Sequence, residues 1–327
     1  MGINRRDFLK LSAGSGLLLA SDVTPSFAAS ADLPPDAVGI LYDATLCIGC
    51  KSCMVNCKKF NSVPGGALHQ KDGTIPYEHI TPNMIYDAPT DLSPKTLNII
   101  KTFKSGTGEN KDTDTDGYSF VKMHCLHCLD PACASVCPVA ALKKDPANGV
   151  VSYDAKKCIG CRYCQMACPF GIPRFEWEKA SPSIVKCQLC HHRYKDGGYS
   201  ACCEYCPTGA SIFGKVVDLR KEAKRRLTLT PGTYYDYPLQ TVGSSAKLPT
   251  MVSKYYDHVY GMEEAGGTQY LLMAGVSFDK LGFNPNITGQ AYPDLTWGYI
   301  KKVPWLVGAL IIAGAASHII TRDKAEE

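Results

Sequence analysis

Sixteen of the chain's 17 cysteines fall into four groups, and every group opens with C-x2-C and closes with C-x3-C. The first is Cys47, Cys50, Cys53 and Cys57; the second is Cys125, Cys128, Cys133 and Cys137. The third is Cys158, Cys161, Cys164 and Cys168, and the fourth is Cys187, Cys190, Cys202 and Cys206. Pro138, Pro169 and Pro207 follow the last three groups. Cysteines crowded at such spacings serve one centre better than they serve dispersed staples. The repeat is one of ligand sets with variable middles, not of a fixed structural period.

Three chemistries compete for these thiols. Disulfides suit an exported chain, but 17 is odd and the sets share their spacing. Structural zinc draws four ligands from two pairs, whereas groups one and three each supply three cysteines within seven residues. A [4Fe–4S] cluster wants that close triplet, and C-x2-C-x2-C-x3-C-P is its bacterial signature. The third group matches in full; the second departs by x4 before Cys133. In two-cluster ferredoxins the fourth cysteine of each run ligates the other cluster. Applied to the inner groups, that rule gives Cys125, Cys128, Cys133 and Cys168 for one cluster, and Cys158, Cys161, Cys164 and Cys137 for the next.

Two ambiguities remain inside the fourth group. Cys187-Gln188-Leu189-Cys190-His191 satisfies C-x-x-C-H, a c-type haem attachment site, but haem there would leave Cys202 and Cys206 with no set to complete. His191 is expected as a solvated or hydrogen-bonded loop residue. The x3 spacing to Cys206 favours Cys202 over Cys203 as ligand, leaving Cys203 a buried free thiol or a neighbour of the ligands.

Both ends of the chain carry apolar segments. Arg5-Arg6-Asp7-Phe8-Leu9-Lys10 precedes a run from Leu11 to Ala20 too short to span a bilayer, so residues 1–29 read as a signal peptide of the twin-arginine kind. Val303 to Ile320 is free of formal charge and near the lower length limit for a transmembrane helix, with Trp297, Tyr299 and Trp305 as interfacial aromatics. A single-pass anchor is expected over 303–321, the body being exported to the periplasmic side of the inner membrane. Small residues Gly308, Ala309, Ala313, Gly314 and Ser317 permit close helix packing, and His318 is expected at the interface. The formal charge of +4 is mild, and no basic block points to nucleic acid.

Between the ends, local structure is sparse. Residues 141–154 carry Asn148-Gly149 between short β-prone runs, a hairpin signal. "GILYD" before the first group and "ASIFG" after the fourth predict strands. Residues 218–227 predict a helix with Asp218 as N-cap, and 104–117 a polar loop. From Leu227 to about Asp294 no periodicity is sustained, which predicts an extended segment packed along the domain or a partner.

On these motifs the sequence resembles the four-cluster ferredoxin-like electron-transfer subunits of membrane-bound oxidoreductases, over nearly the whole chain. Within that family it looks most like the iron–sulfur subunit of the hydrogenase-2 type, on "SGTGENKD", "PVAALKKDP", "CIGCRYCQMACPF", "YPLQT" and "KYYDHVYGMEEAGGTQ". The β subunit of a periplasmic formate dehydrogenase is the other match.

The resemblance implies four [4Fe–4S] clusters, the outer groups pairing as the inner ones do. Cys47, Cys50, Cys53 and Cys206 would hold one, and Cys187, Cys190, Cys202 and Cys57 another. It implies an α+β fold of tandem bacterial-ferredoxin-like modules with short β-hairpins and helices, plus one C-terminal transmembrane helix. The four-cluster domain would span 37–226, with an inner module at 121–170 and an outer module from 40–60 and 183–215. Residues 227–296 would form the docking segment. The implied partners are the hydrogenase small and large subunits, an integral-membrane quinone-reactive subunit, and lipid around the anchor.

Catalysis within this chain has little to rest on. The sequence holds no G-x-S-x-G, P-loop or H-E-x-x-H. "GTGEN" at 106–110 and "PGG" at 64–66 lack the strand–helix context of a phosphate loop. His124 and His127 are expected beside cluster ligands without a catalytic role. The reading is a conductor of electrons.

Overall fold

The computed structural model describes residues 33–61, 91–94, 96–177, 184–194 and 197–323, with side chains up to residue 315. The expected signal at 1–29, Pro64-Gly65-Gly66 and the side chains of Ser317 and His318 lie outside the described residues.

In chain order the elements begin with β1 (Val38–Asp43), α1 (Ser52–Asn61), β2 (Ile99–Lys104), β3 (Asn110–Lys111) and β4 (Gly117–Met123). Then come α2 (Ala132–Ser135), β5 (Leu142–Lys144), β6 (Val151–Tyr153), α3 (Tyr163–Ala167), β7 (Arg174–Phe175) and β8 (Ile184–Val185). The remainder are α4 (His191–Tyr194), α5 (Ala201–Glu204), β9 (Ser211–Lys215), α6 (Val216–Leu227), β10 (Tyr234–Pro238), β11 (Lys247–Met251), β12 (Tyr270–Met273), α7 (Tyr292–Ile300) and α8 (Val303–Asp323).

A three-stranded sheet, β12-β1-β9, sits at the centre. β1 is "VGILYD" and is buried along nearly its whole length, as a strand covered on both faces must be. It pairs antiparallel with β9 (Ile40 opposite Phe213) and parallel with β12 (Ile40 opposite Tyr270). The segment 227–296, expected to lie extended along the domain, therefore supplies a strand of the central sheet. Tyr270, Leu271, Leu272 and Met273 are all buried there.

The predicted hairpin forms as β5 and β6, Leu142 opposite Tyr153. Gly149 takes φ +72° in its turn, a conformation open to glycine at little cost. Gln269, just ahead of β12, ties this hairpin to the sheet: its amide donates to Val38 O at 2.6 Å and Asn148 O at 2.9 Å, and accepts from Lys144 Nζ at 2.9 Å.

The helix predicted at 218–227 starts two residues earlier. β9 runs directly into α6, leaving Lys215 at the N-cap without a side-chain capping bond, while Asp218 lies in the first turn and does not cap. There its charge complements the helix dipole. Within 104–117, Asn110 and Lys111 form a short strand beside β4.

The helical stretch Tyr292–Ala315, which takes in α7 and the first part of α8, is long and apolar enough to cross a membrane. Trp305, Leu306, Leu310, Ile311 and Ile312 all stand exposed on it, which is not how a core helix of a soluble domain is packed.

Candidate metal centres

The four cysteine loops turn sharply through left-handed residues: Gly49 and Lys51 in the first, His127 in the second, Gly160 and Arg162 in the third, Leu189 and Cys190 in the fourth. Such turns aim successive side chains and N–H groups inward at one point, forming a concave nest. Gly49 N–H points to Cys47 Sγ at 3.5 Å, Leu189 N–H to Cys187 Sγ at 3.3 Å and Ala141 N–H to Cys137 Sγ at 3.2 Å. Each closing C-x3-C spans one helical turn or a short helix. In α1, Cys53 and Cys57 lie four apart on one buried face, so one helix delivers a thiol to each of two neighbouring places.

Two of those places are cavities. Cys47, Cys50, Cys53 and Cys206 line one, with Tyr42, Ile100 and Ser211 among its walls. Cys137, Cys158, Cys161 and Cys164 line another, walled by Val139, Leu142, Tyr153 and Ile184. The other eight thiols gather in two sets. Cys128 has Cys168, Cys133 and Cys125 as its nearest charge neighbours, and Cys57 has Cys190, Cys187 and Cys202. The cavities place Cys206 beside the thiols of the first group and Cys137 beside those of the third.

The sets also form a row. Cys53 and Cys202 are electrostatic neighbours, as are Cys187 and Cys125, and Cys133 and Cys164. The order is therefore the Cys47 set, the Cys187 set, the Cys125 set and the Cys158 set. Cys50 at one end and Cys161 at the other are exposed.

Burial pushes most of these thiols up, Cys164 and Cys190 to about 11 and Cys53, Cys133 and Cys187 further. Thiols so desolvated ionise only with a compensating positive charge, which bound iron supplies. Cys202 moves the other way, pulled down by the adjacent Cys203 thiol and by the Lys122 ammonium beside it. Among the described residues, no three His, Cys, Asp or Glu side chains are grouped to hold a single metal ion. Four thiols spread around a cavity, with N–H groups aimed at sulfur, fit a cluster better than one zinc ion.

Residues 117–216 match the family described as a 4Fe-4S dicluster domain. The chain is 42% identical over 285 residues to the "Hydrogenase-2 operon protein HybA" of Escherichia coli O157:H7, covering 85% of this chain and 83% of the relative. The chain belongs to the HybA-like family of iron–sulfur electron-transfer subunits. Family members named for another complex are also similar. The nitrate-inducible formate dehydrogenase iron–sulfur subunit of Escherichia coli K12 is 32% identical over 237 residues, 72% of this chain and 71% of that one. The formate dehydrogenase-O iron–sulfur subunit of the same organism is 33% identical over 237 residues, 72% and 70% of the two chains.

Around the family's thiols the structure adds residues that spacing did not single out. Asn61, one turn beyond Cys57 on α1, directs its amide at Cys57 Sγ and Cys190 Sγ, both at 3.6 Å; its i+4 position is the signal that reveals it. Lys122 is fully buried among thiols, and no motif marks it. His124 and His127 are buried, and desolvation holds both well below the usual imidazole range, hence neutral. His127 Nδ1 accepts from Val151 N at 3.0 Å, a scaffolding bond between the second loop and β6. His191 opens α4 directly after Cys190.

Proposed function

We propose that the chain is the electron-transfer subunit of a periplasm-facing, membrane-bound [NiFe] hydrogenase of the hydrogenase-2 type. It would relay electrons between the hydrogenase small and large subunits and an integral-membrane, quinone-reactive subunit. Four [4Fe–4S] clusters are assigned to Cys47, Cys50, Cys53 and Cys206; Cys57, Cys187, Cys190 and Cys202; Cys125, Cys128, Cys133 and Cys168; and Cys137, Cys158, Cys161 and Cys164. Each cluster supplies reversible one-electron redox chemistry.

What supports this reading is the chain of electrostatic neighbours that links the four assigned sets in turn, with Cys50 in the first and Cys161 in the last the two most exposed thiols. A row with both ends at the surface suits passage between two partners, not turnover at one site. The chain's own residues hold the iron, aim N–H groups at sulfur and keep water out. Around the Cys161 end, Ile159, Tyr163, Met166 and Trp177 are exposed, a cluster suited to covering by a partner. Export by the twin-arginine route is consistent with assembly of clusters before translocation.

The second reading, the β subunit of a periplasmic formate dehydrogenase, is favoured by the likeness to two formate dehydrogenase subunits over about 70% of the chain. Elemental analysis of the complex that co-purifies from detergent-solubilised membranes separates them. Nickel with iron supports the hydrogenase; molybdenum or tungsten with iron supports the formate dehydrogenase; zinc without iron defeats both.

A further inference from the structure

Lys122 lies fully buried between two of the thiol sets. β4 carries its side chain inward, where Nζ donates to Ser211 Oγ at 3.0 Å. Ser211 lines the cavity of Cys47, Cys50, Cys53 and Cys206, and its N–H donates to Cys206 Sγ at 3.4 Å. On its other side the ammonium has Cys202, Cys203 and Cys53 as electrostatic neighbours. Ser211 can accept from the ammonium at only one of its three donors.

A buried ammonium is costly unless nearby negative charge compensates it. Here thiols on two sides offer that charge. A cluster held by four thiolates is anionic and becomes more so on reduction. A fixed cation beside it therefore stabilises the reduced form more than the oxidised form, most strongly where water is excluded. Other lysines near the thiols differ: the Lys186 ammonium is engaged by Val151 O and Cys187 O, which ties strand to loop, and Lys144 Nζ donates to Cys128 O, Gly149 O and Gln269 Oε1.

We propose that Lys122 is a positioning counter-charge shared by two clusters, those of the Cys47 and Cys187 sets, raising the reduction potential of each above the value it would have without that cation. This rests on the four-cluster reading. Because one cation faces both sets, the two potentials move together when it is removed.

The test is potentiometric titration, followed by electron paramagnetic resonance, of the full chain in its detergent-extracted complex, with iron per chain measured on the same samples. Lys122→Met removes the charge at similar length, Lys122→Gln keeps a polar partner for Ser211, and Lys122→Arg restores a cation. Lys215→Met, at an exposed pair with Asp36, is the control. Expected is full iron in Met and Gln variants, two midpoint potentials lowered together, two unchanged, and recovery in Lys122→Arg. Iron retained with all four potentials unchanged overturns the proposal. So does loss of iron in the Met, Gln and Arg variants alike, which would make the role one of packing. A parent chain without iron would instead overturn the four-cluster reading and leave the lysine's environment to another explanation.

Discussion

Arg226 Nη1 and Asp43 Oδ2 meet at 2.9 Å with both side chains shut off from solvent. Arg226 closes α6 and Asp43 closes β1, four residues before Cys47. The pair is not alone. Arg226 Nε donates to Glu222 Oε1 at 2.9 Å, Tyr255 Oη donates to Asp43 at 2.7 Å, and the guanidinium lies over the Tyr237 ring at 4.9 Å. Asp43 Oδ1 also accepts from Thr45 N–H and Oγ1. One network thus fixes the C-terminal segment, α6 and the entry to the first cysteine loop.

Arg226→Met leaves Asp43 a buried charge without its cation, while Glu222 keeps Arg225 at 2.8 Å. Breaking a buried pair from one side costs about 3–5 kcal/mol, so the variant should unfold at markedly lower denaturant, measured by circular dichroism with bleaching of visible absorbance followed in parallel. The first cluster should bleach before the rest, since Asp43 holds its loop. A loss under about 1 kcal/mol, the range of an exposed pair, would show that the network is dispensable.

Cys202 and Cys203 are adjacent and buried, yet only one is assigned as a ligand. Cys202→Ala should lose one cluster, about four irons per chain. Cys203→Ala should keep all its iron, because that thiol belongs to none of the four assigned sets. The check is iron and protein assay on both purified variants. Equal losses would mean that either thiol reaches the cluster.

Gly49 adopts φ +69°, and a Cβ there would sit 2.5 Å from the Phe120 ring. Gly49→Ala therefore meets both an unfavourable backbone and a clash. A stability loss of about 1–3 kcal/mol is expected, with the first set's cluster bleaching at lower temperature in a thermal melt. Gly171, also at positive φ but with nothing within 4 Å of its would-be Cβ, is the comparison. Gly171→Ala carries only the backbone term, so Gly49→Ala should be the more damaging.

The cysteine loops were legible because their turns are local: spacing in the chain dictates which thiols a tight left-handed turn can aim inward, whereas the partner each group takes from a distant loop has no local signal. β1, β9 and the β5–β6 hairpin were legible for the same reason, being short runs with their own turn chemistry. β12 was not. "YLLM" gains its strand identity from pairing with β1, some 230 residues away, and no local pattern announces a parallel partner. Asp218 misled because strand and helix join without a capping loop, so the usual N-cap signal had no place to act. Lys122 was hidden for a different reason: a lysine in a strand ordinarily faces water, and only the assembled sets show why this one does not.

The apolar helix α8 supplies the remaining prediction. Its side chains from Val303 to Ile312 are exposed, Trp305 at 83% and Ile312 at 71%, and such a continuous apolar surface is unfavourable in water. In a bilayer the same helix has its backbone bonds satisfied internally and its side chains in a matching solvent. Ending the chain after Lys302 should therefore release it from membranes by an alkaline carbonate wash, where the full chain needs detergent. Iron content should not change, because the assigned cysteines all precede α7. If the truncated chain stays with the membrane, attachment comes from a partner subunit, and the helix contributes contacts within the complex more than it contributes the anchor.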